Sequence, residues 1–182
     1  MVWVAALAIG LLGGLVTGGK IENLARLRFR WPWLIVAALF VRVATILPPF
    51  SRLDAGRWAY VAALTVVLGW TIWHIGRLPG IWLVAAGSAA NLFVIASNLG
   101  RMPVTPQLAG ALVQRGQAGQ YTLMGPSTQL NWLGDWIAVP GPWREAYSPG
   151  DLVIAIGIAA VILLAMRPRP AETRGRIVND PP

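Results

Sequence analysis

Apolar residues in this chain fall into five long runs separated by short polar or Pro- and Gly-containing segments. The runs contain helix-forming and small residues and lack strand-like alternation, which predicts helices able to cross about 30 Å of hydrocarbon. We predict five membrane-spanning helices near residues 2–18, 33–50, 58–75, 81–98 and 152–166. The predicted fold class is all-α: a helical membrane bundle that forms a single domain over residues 1–167.

A long segment, residues 101–150, separates the last two predicted spans. It is too long for a turn, and long loops in compact proteins are often functional. We predict two short amphipathic helices in it that lie in the membrane interface. The first carries Leu108, Ala111, Leu112 and Arg115. The second covers residues 127–139, with Ser127 as its N-cap, an apolar face of Leu130, Leu133, Trp136 and Ile137, and a polar face of Thr128, Asn131 and Asp135.

Composition supports the membrane interpretation. Of 182 residues, 56% are hydrophobic and only 12% are charged, whereas about a quarter are charged in ordinary soluble domains. The net charge of +8 comes from basic residues between the apolar runs and in the tail, without a continuous stripe. We therefore expect the lipid bilayer, and no nucleic acid, as a partner. The chain contains no cysteine, which excludes disulfides and thiolate chemistry, and we expect no cofactor.

The distribution of Lys and Arg predicts the orientation. The segment after the first span and the C-terminal tail are rich in these residues, and such segments stay in the cytoplasm. We therefore predict an external N-terminus, a cytoplasmic C-terminus and an external segment 101–150. The polar, Pro-rich tail, residues 168–182, is predicted to be disordered. The first span has no basic region before it and Lys20 after it, so we expect a mature helix instead of a cleaved signal peptide.

Three glycines in the first span are spaced four residues apart. Gly10, Gly14 and Gly18 form two overlapping GxxxG patterns, which let helix backbones approach closely. We predict a helix-packing face, either within the chain or between protomers of a homo-oligomer.

Asp135 and Asp151 are the candidate catalytic residues. Two neighbouring carboxyl groups cannot both ionise easily, so one keeps its proton. One group can then activate water while the other protonates the scissile group. The structural alternative is that Asp151 caps the last helix and that Asp135 lies on the solvent-exposed face of an interfacial helix.

Three further polar residues are candidates for orienting a substrate or the carboxyl pair. Arg42 lies within the second predicted span, where a cation must face the bundle interior and find a polar partner, or extend to the interface. Asn91 and Asn98 are two turns apart on the fourth span, where hydrogen bonding between helices is the structural alternative. His74, the single histidine, is expected to form an interfacial hydrogen bond, and no metal site is expected.

Four stretches make the whole chain resemble an uncharacterised family of small bacterial multi-pass membrane proteins. They are Gly18 to Leu24, Asn98 to Val104, Leu133 to Trp136, and Ser148 to Asp151. The resemblance implies a bacterial inner membrane and no particular activity.

A second, local resemblance concerns the last third of the chain. Gly134-Asp135-Trp136-Ile137, an aromatic and Pro-rich loop, and Tyr147-Ser148-Pro149-Gly150-Asp151 before an apolar helix are similar to the end of the lipoprotein signal peptidases. The stretch from Gly87 to Leu92 also looks like that family's small-residue segment ending in Asn-Leu. The resemblance implies that Asp135 and Asp151 form an aspartyl dyad.

Three functions remain open from the sequence. The first is a structural or partner-binding membrane protein that packs against another membrane protein. The second is a membrane-embedded aspartyl hydrolase that acts at the outer leaflet through Asp135 and Asp151. The third is a small transporter, which would need a polar pathway from His74 to Arg42.

Overall fold

The computed structural model describes residues 1–47, 50–114, 118–139 and 145–167, and most of them are helical, which confirms the predicted predominance of helix. The predicted tail, residues 168–182, lies outside this range. The α-helices are α1 (Val2–Val16), α2 (Pro32–Ala44), α3 (Asp54–Trp73), α4 (Ile81–Ser97), α5 (Pro106–Gln114) and α6 (Pro149–Met166). Short 3-10 helices occupy Ile21–Arg26, Phe50–Arg52, Ala118–Gln120 and Asn131–Leu133.

Five of these helices lie on the five apolar runs, with shifted ends. α2 ends at Ala44, earlier than predicted, and the Thr45 side chain folds back to donate to the Arg42 carbonyl. α3 and α6 each begin a few residues earlier than predicted. By length and composition, α3 and α6 could each cross a membrane, whereas α1, α2 and α4 are shorter apolar helices.

The long helices form an open arc. α1 packs against α6, α6 against α4, α4 against α3, and α3 against α2. Among the described helices, α2 packs extensively only along α3. The starts of α1, α3 and α6 and the ends of α2 and α4 lie at one end of the arc, together with the described parts of segment 101–150. We call this end the loop end.

Close packing between α1 and α6 depends on glycine. A Cβ atom at Gly10 would lie 2.9 Å from the Cβ of Ile162, and one at Gly14 would overlap Met166. These two glycines therefore form a packing face within the chain. Gly18 does not belong to that face, because it follows the end of α1 with a left-handed φ of 78° and has open space around it. Gly19 takes its place against Met166.

Segment 101–150 contains strands as well as helix, so the all-α prediction is wrong for this segment. Strands β1 (Met102–Val104) and β2 (Tyr121–Leu123) pair in parallel, with Met102 opposite Tyr121. Strands β3 (Ile137–Val139) and β4 (Glu145–Tyr147) pair antiparallel, with Ile137 opposite Tyr147. The first predicted short helix is present as α5, although Arg115 lies outside the described residues.

The second predicted amphipathic helix, over residues 127–139, is wrong. Leu130 has a left-handed φ of 55°, which ends any helix begun at Ser127, and a single 3-10 turn follows. Gly134 then lies so close to the Pro103 carbonyl oxygen that a Cβ atom would come within 2.6 Å of it. The apolar residues whose spacing predicted a helix instead pack against β1 and the end of α4. Leu130 and Leu133 pack on the core cluster of Tyr60, Val94, Ile95 and Met102.

Candidate functional site

A cavity of about 440 Å³ lies inside the arc at the loop end. Its polar lining comes from α2, α3, α4, α6 and segment 101–150. The polar residues are Arg42, Tyr60, Ser88, Asn91, Tyr121, Asp135, Glu145, Tyr147 and Asp151. The main apolar residues are Trp3, Ile35, Leu39, Leu64, Val67, Val84 and Ile154. The fold therefore brings both candidate aspartates to one cavity.

Backbone pairing holds Asp135 in place. Its N–H donates to the Pro103 carbonyl at 2.8 Å, and its carbonyl accepts from the Thr105 N–H at 3.1 Å. Asp135 thus forms a parallel bridge beside β1, opposite Val104. Only 4% of Asp135 is exposed, and its Oδ1 atom has no hydrogen-bond partner among the described residues. A buried carboxyl oxygen without a partner is costly, and it is available to a ligand.

The surroundings of Asp135 favour its neutral form. Burial and, to a smaller extent, the charge of Asp151 raise the pKa of Asp135 to about 8, with Arg42 partly opposing the two effects. Burial also raises the pKa of Tyr121, which lines the same cavity. At neutral pH the Asp135 carboxyl group therefore keeps its proton and can act as a donor.

Asp151 belongs to a capping box at the start of α6. Its N–H donates to Ser148 Oγ at 2.9 Å, and the Ser148 N–H donates to Asp151 Oδ2 at 3.1 Å. The structural interpretation of Asp151 therefore holds, although the N-cap is Ser148 and Asp151 is the third helical residue. This position near the positive end of α6 stabilises a carboxylate.

Asn91 links α4 to the capping box. Its Nδ2 donates to Asp151 Oδ1 at 2.8 Å, and its Oδ1 accepts from Ser148 Oγ at 2.8 Å. The two helices must cross closely for these contacts to form. Gly87 and Gly150 allow the approach, because a Cβ at Gly87 would lie 2.7 Å from Ile154 Cγ1 and one at Gly150 would overlap the Asn91 side chain. Asn91 therefore orients the Asp151 carboxylate.

Arg42 lies in the last turn of α2 and lines the cavity. Within the described residues its guanidinium makes neither a hydrogen bond nor an ion pair. The polar partner predicted for Arg42 is therefore not found among the described side chains. Arg42 is exposed, and its positive charge lowers the pKa of Asp135 across the cavity.

Two candidate residues lie away from the cavity. Asn98 clamps the backbone of Gln129: it donates to the Gln129 carbonyl at 2.9 Å and accepts from the Gln129 N–H at 2.8 Å. It does not orient either aspartate, because it follows α4 and turns toward the loop. His74 is fully buried at the opposite end of α3, bonded to the Trp70 carbonyl and the Arg30 N–H. Among the described residues, the lining of this cavity includes Arg42 and does not include His74.

Sequence reasoning missed several residues that line the cavity or, like Ser148, are hydrogen-bonded to its lining. Ser148 was detectable, because Ser-x-x-Asp before an apolar run is the capping-box pattern. Tyr60 and Tyr121 carried no such signal, since their positions depend on how α3 and β2 pack. No group of three or more His, Cys, Asp or Glu residues in the described ranges is arranged to hold a metal ion.

A family model described as a family of unknown function, DUF5317, matches residues 26–163 of the chain. The match includes Arg42, Asn91, Asp135, Ser148 and Asp151. No curated protein and no solved structure matches the chain.

Proposed function

We propose that this chain, which belongs to the DUF5317 family of unknown function, is a five-helix membrane protein that hydrolyses a membrane-anchored substrate in the cavity at its loop end. The observation that carries the catalytic part is the environment of the two carboxyl groups. Asp135 is buried with an unpartnered oxygen, whereas Asp151 accepts hydrogen bonds at both oxygens, and both line one cavity.

The outer surface of the arc supports membrane insertion. Large apolar residues are exposed along the helices, including Val16 at 87% and Phe40 at 77%. Val4, Leu12 and Val36 are each more than half exposed as well. A soluble monomer does not leave an apolar surface of this extent in water. Lipid covers such a surface, and the helices α1, α2 and α4 then cross together with α3 and α6.

The end of the arc opposite the loop end carries aromatic and basic residues. Trp31 and Trp73 pack with ring centroids 5.8 Å apart, and Arg30 and Arg77 lie over these two rings. Amphipathic indoles with neighbouring cations are typical of a membrane interface, and Lys and Arg favour the cytoplasmic side. We therefore place this end at the cytoplasm of a bacterial inner membrane and the loop end outside.

Single cysteines test this orientation directly, because the chain has no cysteine of its own. We expect a membrane-impermeant maleimide to label Ser127→Cys in intact spheroplasts of a bacterial host. Lys20→Cys should react only after the membrane is opened. Both side chains are exposed, and the cysteine-free chain is the blank. Equal labelling of the two variants in intact spheroplasts would contradict the orientation.

The proposed reaction uses the two carboxyl groups in different forms. The Asp151 carboxylate accepts a proton from a water molecule while the water oxygen bonds to the substrate's carbonyl carbon. Asp135 donates its proton to the carbonyl oxygen, and the tetrahedral species collapses as the bond to the leaving group breaks. The proton held by Asp151 then passes to the leaving group, and the Asp135 proton is recovered from the collapsing hydroxyl. Arg42 helps to hold the substrate in the cavity through its positive charge.

Matched Asp→Asn variants test the reaction. We expect Asp135→Asn to lower the rate of cleavage of fluorescent membrane-anchored peptides in proteoliposomes by about 100-fold or more, because general acid catalysis is lost. Asp54→Asn is the control, since Asp54 has a side chain 83% exposed and forms an ion pair with Arg57 on the surface. Asp151→Asn should also be inactive and remain folded. Cleavage by Asp135→Asn at the rate of the Asp54→Asn control would refute the proposal.

The hydrogen bonds of Asp151 favour a second candidate function, namely ligand binding without chemistry. Both of its oxygens already serve the capping box and the contact with Asn91. If Asp151→Asn loses activity only in proportion to folded protein, the residue is structural. The cavity is then a binding site for a ligand or a segment of a membrane partner.

A further inference from the structure

The cavity changes character along its length. Its polar groups, including Arg42, Asn91 and Asp151, lie toward the loop end, in the last turn of α2, the last two turns of α4 and the first turn of α6. Farther from the loop end, Ile35, Leu39, Val67 and Val84 line it. Ile35 lies seven positions before Arg42 in α2, so the apolar part extends about 10 Å along the helix axis from Arg42. A ligand that fills this space has one polar end and one apolar end.

The open arc provides a route for such a ligand. α2 packs on α3, and no other described helix covers its far side. Trp3 of α1 and Leu39 of α2 both line the cavity, and both remain partly exposed. The cavity is therefore bordered by two helices without extensive mutual contact. An apolar chain can enter sideways between them without crossing the polar loop end.

The charges at the polar end select the ligand further. The Asp151 carboxylate accepts hydrogen bonds from Asn91 and from the Ser148 N–H, and the Glu145 carboxylate accepts one from the Tyr147 hydroxyl. Arg42 is the cavity cation without a hydrogen bond or ion pair among the described residues. Burial raises the pKa of Asp135 and keeps that carboxyl group neutral at pH 7. Among the charged side chains that line the cavity, the one without a hydrogen bond or ion pair to the described residues is therefore the cation Arg42.

We infer that the cavity binds an anionic membrane amphiphile, whose acidic oxygens bond to Arg42 and whose apolar chain lies along Ile35, Leu39 and Val67. A guanidinium binds phosphate or carboxylate oxygens through paired, charge-assisted hydrogen bonds. The neutral Asp135 carboxyl group donates to the same polar end. This inference gives the substrate class for the proposed hydrolysis. It rests on the proposed hydrolase function only in that it treats the ligand as a substrate.

The test uses three probes that separate head from chain. Tetradecyl phosphate carries both features, tetradecyl phosphocholine has the same chain with a zwitterionic head, and inorganic phosphate has no chain. Binding to the full chain in an uncharged detergent is followed by the thermal shift of unfolding and by native mass spectrometry. We expect tetradecyl phosphate to bind at least about tenfold more tightly than either other probe, because only it satisfies both ends of the cavity.

Two arginine variants provide the matched comparison. Arg42→Gln should weaken tetradecyl phosphate binding by about tenfold or more, whereas Arg28→Gln, an exposed arginine before α2, should leave it unchanged. Arg42→Lys should restore part of the affinity, since it keeps the charge without the paired donors. Equal binding to the Arg42→Gln and Arg28→Gln proteins would overturn the inference. Equal binding of the phosphocholine probe, or of inorganic phosphate, would do so too.

This experiment fails separately from the hydrolase proposal. Asp135→Asn should abolish cleavage and still bind tetradecyl phosphate, because the asparagine stays neutral and polar. If binding depends on Arg42 and no cleavage is detected, the anionic-ligand inference stands and the hydrolase proposal is refuted. If the protein cleaves uncharged amphiphiles and Arg42→Gln does not change that rate, the hydrolase proposal stands and the anionic-ligand inference is refuted.

Discussion

The Asp135→Asn protein is expected to be more stable than the unchanged protein at pH 8, by on the order of a few kcal/mol. Ionising a carboxyl group that is 4% exposed costs free energy that an amide of the same shape does not incur. The same substitution removes the proton that the proposed reaction uses. Asp135 would then be a residue at which stability is sacrificed for activity.

The raised pKa of Asp135 determines whether rising pH stabilises or destabilises the folded chain. Asp135 has a pKa of about 8 in the folded chain, mainly because of burial and then because of the charge of Asp151, against an ordinary value of 3.8. Between about pH 4 and pH 8 the folded chain holds a proton that the unfolded chain releases. The contribution of Asp135 to stability is therefore fully present below about pH 4. It is lost progressively as the pH rises toward about 8.

Thermal or denaturant unfolding in an uncharged detergent, measured across this pH range, checks the prediction. The unchanged protein should lose stability with rising pH, and Asp135→Asn should show a flatter profile. Asp54→Asn serves as the control and should keep the slope of the unchanged protein, since Asp54 is exposed. A profile for Asp135→Asn that parallels the control would show that Asp135 is already ionised at neutral pH, and the acid role would be withdrawn.

Gly87→Leu is expected to disrupt the cavity site, because Gly87 lies where α4 and α6 cross. A Cβ atom there would lie 2.5 Å from the Gly150 carbonyl oxygen and 2.9 Å from the Ile154 backbone nitrogen. Because backbone atoms cannot rotate away, the helices must separate. Overpacking of this kind lowers the free energy of unfolding by about 1–3 kcal/mol or more. Separation also breaks the contact of Asn91 with Asp151.

Gly69→Leu is the matched control on α3. A Cβ atom at Gly69 has nothing within 4 Å, and the residue is exposed. The same change of side chain should leave stability unchanged or slightly raised, because glycine is a poor residue inside a helix. Both variants are compared by thermal unfolding and by cleavage of the membrane-anchored peptides. Equal stability of the two proteins would mean that α4 and α6 do not require this close approach.

Local patterns were sufficient for the helices. Continuous apolar runs have few alternatives to helix at these lengths, so α1, α2, α3, α4 and α6 lie where the runs predicted them. The ends were less predictable, because they depend on capping contacts such as that of Ser148 with Asp151. Gly10 and Gly14 were assigned to a packing face, but the sequence could not decide whether the partner was α6 or another protomer.

The segment after α4 shows where local patterns fail. Leu130, Leu133 and Trp136 have a spacing compatible with a helix, and short apolar periodicities do not separate helix from other conformations. The left-handed backbone at Leu130 and the packing of Gly134 on Pro103 decide the outcome. Both depend on contacts with β1, about 30 residues earlier in the chain. Tertiary structure therefore overrode the local preference.

The sequence by itself determined which chemical groups were available: two aspartates near α6, one arginine within α2 and one asparagine on α4. Only the tertiary structure decided that Arg42, Asn91, Asp135 and Asp151 share a cavity and that Asn98 does not. It also decided that Asp135 is buried while Asp151 is held by hydrogen bonds. Protonation depends on burial and on nearby charge, and both are set by residues distant in sequence.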